Sequence, residues 1–267
     1  MRTSSMIFRT EMIYWRVDGQ VLDRGEYHLV RSPANPTYYG GNLLYFDHPP
    51  VEGDYTHWLE LFESEFKDEP NVKHVLFMWD LPEGETGAVA QFIEGGFEIQ
   101  SNVTLMTDQV VPPPKLNSEI KVRRIEANNE WDAVLAAKLR ARNPRFDLKT
   151  YTPFKKKWLD ARRRLADQGL GNWYGAYIDN QLVGDLGLFR DGTIARFQDV
   201  GTEPEFRQRG ICGTLVYEVS RQALESNGIE TLVMVADENY HAARIYESVG
   251  FRPTEWHASA CRYPPGR

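Results

Sequence analysis

Apolar and polar residues alternate along Ile120–Ala127 (IKVRRIEA), the pattern of a half-buried strand. Apolar residues at helical spacing follow in NNEWDAVLAAKLRAR, with Asn129 as the expected cap. A second helix is predicted over Thr152–Gly169, with Pro153 near its start and Gly169 past its end. Three strand-like pieces come next, divided by the turns IDNQL and RDGT, where Asp191-Gly192 is a hairpin signal. A helix pattern runs from Cys212 to Asn227 and is closed by Gly228. Thr231–Asp237 (TLVMVAD) is a continuous apolar run, as expected of a strand buried on both faces. NYHAARIYESVG reads as a short helix ended by Gly250, and FRPTEW and HASACRY read as a closing pair of strands. The order is strand, two helices, three strands, helix, strand, helix, strands.

Ahead of this region lies Val110–Ser118 (VVPPPKLNS). Three consecutive prolines fit neither a helix interior nor a central strand and favour a stiff extended connector. The expected organisation is a first domain over residues 1–109, a proline-rich linker over 110–118 and a second domain over 119–267. In the first domain, Asp54–Phe66 has helix periodicity and His74–Asp80 (HVLFMWD) reads as a buried strand.

Composition changes the picture little. The chain has 267 residues, 42% of them apolar, enough to bury a core. No apolar run approaches the roughly 18–20 residues that span a bilayer, and the first residues carry no secretory h-region. Cys212 and Cys261 are the only cysteines and have no metal-ligand spacing; the six histidines form no metal pattern either. A reduced, cytoplasmic protein with no bound metal and no membrane contact is expected. The net charge of −7 argues against nucleic acid as a partner. That charge is uneven: residues 1–118 hold 8 basic and 18 acidic side chains, and residues 119–267 hold 23 and 20. An acidic surface suffices to explain it; the sharper reading is an acidic domain beside a site that receives a cationic amine.

The chemistry concentrates in Glu203–Leu215 (EPEFRQRGICGTL), where a predicted strand hands over to a predicted helix. A helix start exposes unpaired N–H groups and carries about half a positive charge from the macrodipole. Glycines at 210 and 213 allow close approach of the backbone to an anion, and Arg207 and Arg209 add forked donors. The turn is thus expected to bind a diphosphate through the amides of residues 208–213.

Arg207-Gln208-Arg209-Gly210-Ile211-Cys212 resembles the Gln/Arg-x-x-Gly-x-Gly/Ala signature of the GCN5-related N-acetyltransferases (GNAT). Asn239-x-x-Ala242-x-x-x-Tyr246-x-x-x-Gly250-Phe251 resembles the second conserved stretch of that family, one helix and one strand further on. The resemblance covers about 145 residues. It implies an α+β fold with a mixed central sheet and flanking helices. It also implies acetyl-CoA as co-substrate, held in a V-shaped gap between two splaying parallel strands. Val200, Gly201 and Thr202 would pair with the pantetheine arm. Arg207, Gln208, Arg209, Gly210, Ile211, Cys212, Gly213 and Thr214 would surround the diphosphate, and Asn239 would hold the arm. Cys212 departs from the family's Gly or Ala; a small buried side chain is the reading preferred over a reactive thiol.

An alkylamine is mostly protonated at neutral pH and must lose a proton before it attacks a thioester. The leaving thiolate must gain one. Tyr246 falls where the family places its general acid, and a tyrosine hydroxyl stays protonated up to a pH of about 10. The family's strand glutamate is replaced by Arg196, and the alternative position is Gln198. Asp199 and Asp185 are the candidate bases, although simple alternation turns Asp199 away unless a bulge re-aims it; water alone is the other possibility.

The first half repeats part of the pattern: Ala88-x-x-x-Phe92-x-x-x-Gly96-Phe97 matches the Ala242 to Phe251 spacing. This points to two tandem copies, the first degenerate. FDHPPVEGDYTHW stands where the phosphate turn should be, with two prolines that offer no N–H and with Glu52 and Asp54 that repel phosphate. Phe92 has no proton to give. Residues 1–109 are expected not to bind CoA, and Asn35–Asn42 (NPTYYGGN) is expected to be a surface loop, the alternative being a glycine-hinged loop near the substrate cleft. The expected activity is acetyl transfer from acetyl-CoA to a primary amine by direct attack in a ternary complex. The rival is a non-catalytic acyl-CoA-binding sensor or scaffold. Oligomeric state and acceptor identity are not legible.

Overall fold

A computed structural model of the chain describes residues 5–81, 85–225, 228–238 and 242–264. In chain order its elements are α1 (Met6–Asp18), β1 (Gln20–Asp23), β2 (His28–Arg31), β3 (Leu43–Phe46), α2 (Asp54–Phe66), β4 (Val75–Asp80), α3 (Ala90–Glu94) and β5 (Glu98–Thr107). Then come β6 (Lys121–Arg124), α4 (Asn128–Ala141), α5 (Leu148–Asp167), β7 (Gly171–Ile178), β8 (Gln181–Asp191) and β9 (Ile194–Thr202). α6 (Ile211–Glu225), β10 (Thr231–Asp237), α7 (Ala242–Val249) and β11 (Arg252–Arg262) complete the order. The strands and helices form two compact units.

The first unit takes residues up to Thr104 and those from Glu255 on. Its strands run β1-β2-β3-β4-β11. All neighbours are antiparallel except β3 and β4, which are parallel with α2 between them in sequence. Helix α2 turns Trp58, Phe62 and Phe66 inward, one turn apart, so its apolar stripe closes one face of the sheet. Trp58 stacks on Phe46 at 3.8 Å, and Phe92 lies fully buried against Trp58, Phe77 and Phe97. The loop Asn35–Asn42 reaches the surface at Thr37 and is anchored at its end: Asn42 is buried, accepts from Ser32 N at 3.0 Å and donates to Tyr38 O at 2.9 Å.

The second unit takes Leu105–Ala236 and Tyr240–Thr254. Its strands run β10-β9-β8-β7-β6. Asp179 and Asn180, at φ 47° and 65°, make the tight turn from β7 to β8, and Gly192 at φ 61° turns β8 into β9. Helix α6 lies over Gly184 of β8, where a Cβ would stand only 3.3 Å from Ile211 and 3.7 Å from Leu215. Strands β9 and β10 are parallel but paired only over Ile194–Arg196 and Thr231–Val233. Beyond that they part, and the β10-facing edge of β9 opens.

Several boundaries differ from those expected. α5 starts at Leu148 rather than Thr152, because the Asp147 side chain caps it by accepting from Lys149 N at 2.7 Å. Asn129 lies inside α4; the Glu130 carboxylate reaches back to the Glu126 and Ala127 amides at 2.9 and 3.0 Å and ends the helix there. The closing pair of strands is one strand, β11, and from His257 on it pairs with β4. Residues from Glu255 therefore go with the first unit instead of a 119–267 domain. The proline segment is not a free linker: Val111 N donates to Val249 O at 2.9 Å, within the second unit.

Candidate functional site

The open edge of β9 leads directly into the turn ahead of α6. After Thr202 a short 3-10 turn spans Pro204–Phe206, and Gln208 and Gly210 take left-handed φ values of 61° and 79°. The chain then enters α6, whose buried Ile211, Leu215, Val216 and Val219 fix the helix over the sheet and so fix where its N-terminus points. Gly210 has no room for a side chain: a Cβ there would lie 2.2 Å from Lys115 O. Gly210→Ala is accordingly expected to distort the turn, measurable as a lowered melting temperature.

A cleft of about 810 Å³ follows this turn. Val200, Gly201 and Thr202 line it, as do Arg207, Gln208, Gly210, Ile211, Cys212 and Gly213. The two arginines separate. Arg207 faces the cleft, whereas Arg209 is not among its lining residues and pairs with Glu119 at 2.6 Å. Thr214 is also drawn away, since its hydroxyl donates to Gly210 O at 2.9 Å and accepts from Asn117 N at 2.8 Å. Thr202 Oγ1 is buried without a hydrogen-bond partner, in the wall of the cleft.

Strand β9 bulges beside the splay. Gly187 lies opposite Gln198 and Asp185 opposite Gly201, so β9 carries one extra residue between those pairs. Asp199 absorbs it at φ 52°, which overrides simple alternation and places it on the cleft wall. Its carboxylate meets Lys155 Nζ at 2.6 Å and Lys138 Nζ at 3.7 Å, while Lys138 also donates to Asp199 O at 2.6 Å. Burial alone would raise this carboxyl; the two lysine charges outweigh burial and hold it well below the usual carboxylate range. Such an acid stays ionised and is a weak base.

Asp185 sits deeper, 3% exposed, and does not line the cleft. Lys138 Nζ lies 2.8 Å from it and Trp173 Nε1 donates at 2.9 Å. Burial raises its carboxyl, with Lys138 opposing. For Lys138 the two aspartates outweigh burial and raise the ammonium; for Lys155, burial prevails over Asp199 and lowers it. Lys155 lies 3.9 Å from the Trp158 ring, and Arg162 covers the same ring at 4.0 Å. The sequence signals for these cations were weak. Lys138 and Lys155 stand in basic amphipathic helices, where lysine usually means solvent.

Tyr246 is buried in the cleft wall on α7, and its ring packs edge-on against Phe251, 6.5 Å away. Cys212 also lines the cleft; burial pushes its thiol up to about 11, so it is no thiolate at neutral pH. Tyr151, on the first turns of α5, lines the same cleft, and burial together with Asp199 pushes its hydroxyl up to about 12. Asn239 lies outside the described residues. No described helix is long and apolar enough to cross a membrane.

Comparison with known proteins bears on this geometry. Residues 169–253 match the family described as "Acetyltransferase (GNAT) domain". A mycothiol acetyltransferase of Thermobispora bispora is 28% identical over 153 residues, covering 55% of this chain and 50% of that protein. The chain thus spans about half the length of that curated relative. Among solved structures, a functionally unknown conserved protein from Staphylococcus epidermidis aligns with a TM-score of 0.74 and 16% identity, over 92% of this chain and 94% of that one. A GCN5-related N-acetyltransferase from Kribbella flavida aligns with a TM-score of 0.67 and 15% identity, over 100% and 97%. The fold is the GNAT-like acyl-CoA N-acyltransferase fold, a mixed sheet with flanking helices.

Proposed function

We propose that the protein is an acetyl-CoA-dependent N-acetyltransferase that acts on a primary amine by direct attack, in a reducing, cytoplasmic setting. The observation that carries this reading is the opening of β9 from β10 directly ahead of a left-handed turn at a helix N-terminus. The matched GNAT domain covers the same residues. The residues fit the co-substrate. Val200 to Thr202 offer backbone groups that a pantetheine arm can pair with as an added strand, and Thr202 Oγ1 awaits a partner. The amides of the turn and Arg207 suit a diphosphate.

Acetyl-CoA supplies an activated thioester carbonyl. A pantetheine arm paired along Val200 to Thr202 would bring that carbonyl toward the bulge. Asp199, ionised and clamped by Lys155, accepts a hydrogen bond from the incoming amine and orients it; we assign it this role rather than that of base. Asp185 supports Lys138 beneath the site. The amine gives its first proton to water, and Lys138 in the cleft wall favours the neutral amine by like-charge repulsion. The C–N bond forms, the C–S bond breaks, the second proton on nitrogen passes to water, and Tyr246 donates its hydroxyl proton to the departing sulfur and regains one from water.

The first unit is read as a degenerate copy. Its β3-α2-β4-α3 order, with β3 and β4 parallel, repeats β9-α6-β10-α7. At the start of α2 Asp54 accepts from Val51 N at 2.8 Å, and Phe92 takes the place of Tyr246 in an aromatic core. Neither can serve CoA. The acidic balance of residues 1–118 favours a cationic small-molecule acceptor.

Acetyl-CoA at 100 times its dissociation constant is expected to stabilise the fold by about 2.7 kcal/mol. For a unit of this size that is a melting shift of roughly 5–10 °C. An amine screen that detects CoA thiol then tests transfer. A thermal shift without thiol release from any amine favours the sensor reading, and no shift at all overturns both.

A further inference from the structure

The proline segment, inside the second unit, is packed on the turn ahead of α6. Pro113 Cβ stands 3.2 Å from where a Cβ on Gly213 would be, and Lys115 O blocks a side chain at Gly210. The Lys115 ammonium donates to Gln208 O. Asn117 Nδ2 donates to Arg209 O at 2.9 Å, and Asn117 N donates to Thr214 Oγ1 at 2.8 Å. The Asn117 Oδ1 atom is held in turn by the amides of Glu119 and Ile120, at 2.9 and 3.1 Å, so the side chain cannot swing away.

These bonds have a geometric consequence. A trans peptide is planar, and its C=O and N–H point in opposite directions. The donor on Gln208 O therefore aims the N–H of Arg209 away from the strap. The donor on Arg209 O does the same for the N–H of Gly210. Left-handed φ at Gln208 and Gly210 lets successive amides converge into an anion-binding concavity. Without such anchors a turn rich in glycine and exposed on one side would sample many orientations, and ordering it on binding would weaken affinity.

We propose that Lys115 and Asn117 are positioning residues for the diphosphate of the acyl carrier, holding the Gln208 and Arg209 carbonyls so that the next two amides face the anion. The inference rests on the acetyl-CoA reading above. It gives the proline segment a function beyond connection: three prolines stiffen the strap so that residues 115 and 117 arrive in register with 208 and 209. Asn117 acts without charge and without touching the ligand, which makes it separable from simple electrostatic attraction.

Isothermal titration with CoA tests this on the full chain, with the melting temperature of each ligand-free variant as control. Asn117→Ala and Lys115→Met are each expected to weaken CoA roughly five- to tenfold, the worth of one positioning hydrogen bond. Lys115→Arg, which keeps the donor, is expected to restore binding. Kinetically, KM for acetyl-CoA rises with kcat little changed, and kcat/KM for S-acetylpantetheine, which lacks the diphosphate, is unmoved. Variants that bind CoA as the wild type does overturn the strap and leave the cofactor reading intact. Loss of the same size toward both acyl donors also overturns it. A wild-type chain that fails to bind CoA overturns the cofactor reading, and this inference with it. If Asn117→Ala does not fold, Asn117→Ser decides the question, since its hydroxyl can still accept from the Glu119 and Ile120 amides but is too short to reach Arg209 O.

Discussion

Replacing Tyr246 with Phe is expected to lower kcat by roughly 10²–10⁴-fold and to leave CoA affinity unchanged. The change removes one hydroxyl from a buried ring and no packing volume. Phe251 keeps its edge-on neighbour, so α7 stays in place. What disappears is the only proton donor proposed for the departing sulfur. Binding and turnover should therefore separate: titration heats for CoA stay as in the wild type while thiol release collapses. The loss should also shrink with an acyl donor whose thiol leaves as a stable anion, because that thiolate needs no proton. Equal turnover in both proteins would remove Tyr246 from the mechanism. A chain that binds CoA but shows no turnover to lose would be the sensor.

Phe92 is the natural counterpart to this experiment. It occupies the matching position in the first unit, and there the ring is fully buried among Trp58, Phe77 and Phe97. The same spacing thus serves packing in one unit and is proposed to serve chemistry in the other. Spacing alone does not tell the two apart; the difference lies in whether a cleft reaches the ring.

Much of the second unit was legible because its signals are local. Hydrophobic period separates β7–β9 from α4, α5 and α6. Asp179-Asn180 and Asp191-Gly192 announce turns, and glycine at 210 marks a backbone position no other residue fits without strain. What was not legible depends on contacts between residues distant in sequence. The single strand β11 was read as two pieces, since its pairing with β4 is settled about 180 residues away. In the first unit, β1–β3 are only four residues each, too short for periodicity to register. The strap looked like a connector because proline content reports stiffness and says nothing of what a stiff segment rests upon. Asp199 was visible as a residue but not as a clamped anion. Its bulge is a property of the β8–β9 register, and its two partners come from α4 and α5.

That clamp leads to the second large effect. Lys138→Met is expected to destabilise the second unit by ~3–5 kcal/mol, the usual consequence of leaving a buried charge without its partner. Asp185 is the charge at stake: it is nearly inaccessible to water, and Lys138 at 2.8 Å is its only ionic contact among the described residues. Lys138→Met with Asp185→Asn together should recover much of the loss, because an uncharged amide can still accept from Trp173 Nε1 at this spot. Urea titrations of the two single variants and the double variant measure the coupling. The pH dependence follows from the direction of each shift. Asp199 is depressed in the fold, so its contribution is complete above the unfolded carboxylate value of about 3.9 and fades as pH falls toward its folded value. Lys138 is raised, so its contribution is complete below about 10.4 and is lost as pH climbs through its folded value. In Lys138→Met the alkaline loss should vanish, and the acid loss should begin at higher pH, since Lys155 alone then holds Asp199 down. A single variant as stable as the wild type would mean that water reaches Asp185, and that the floor beneath the bulge is not the closed ionic layer that the 2.8 Å contact implies.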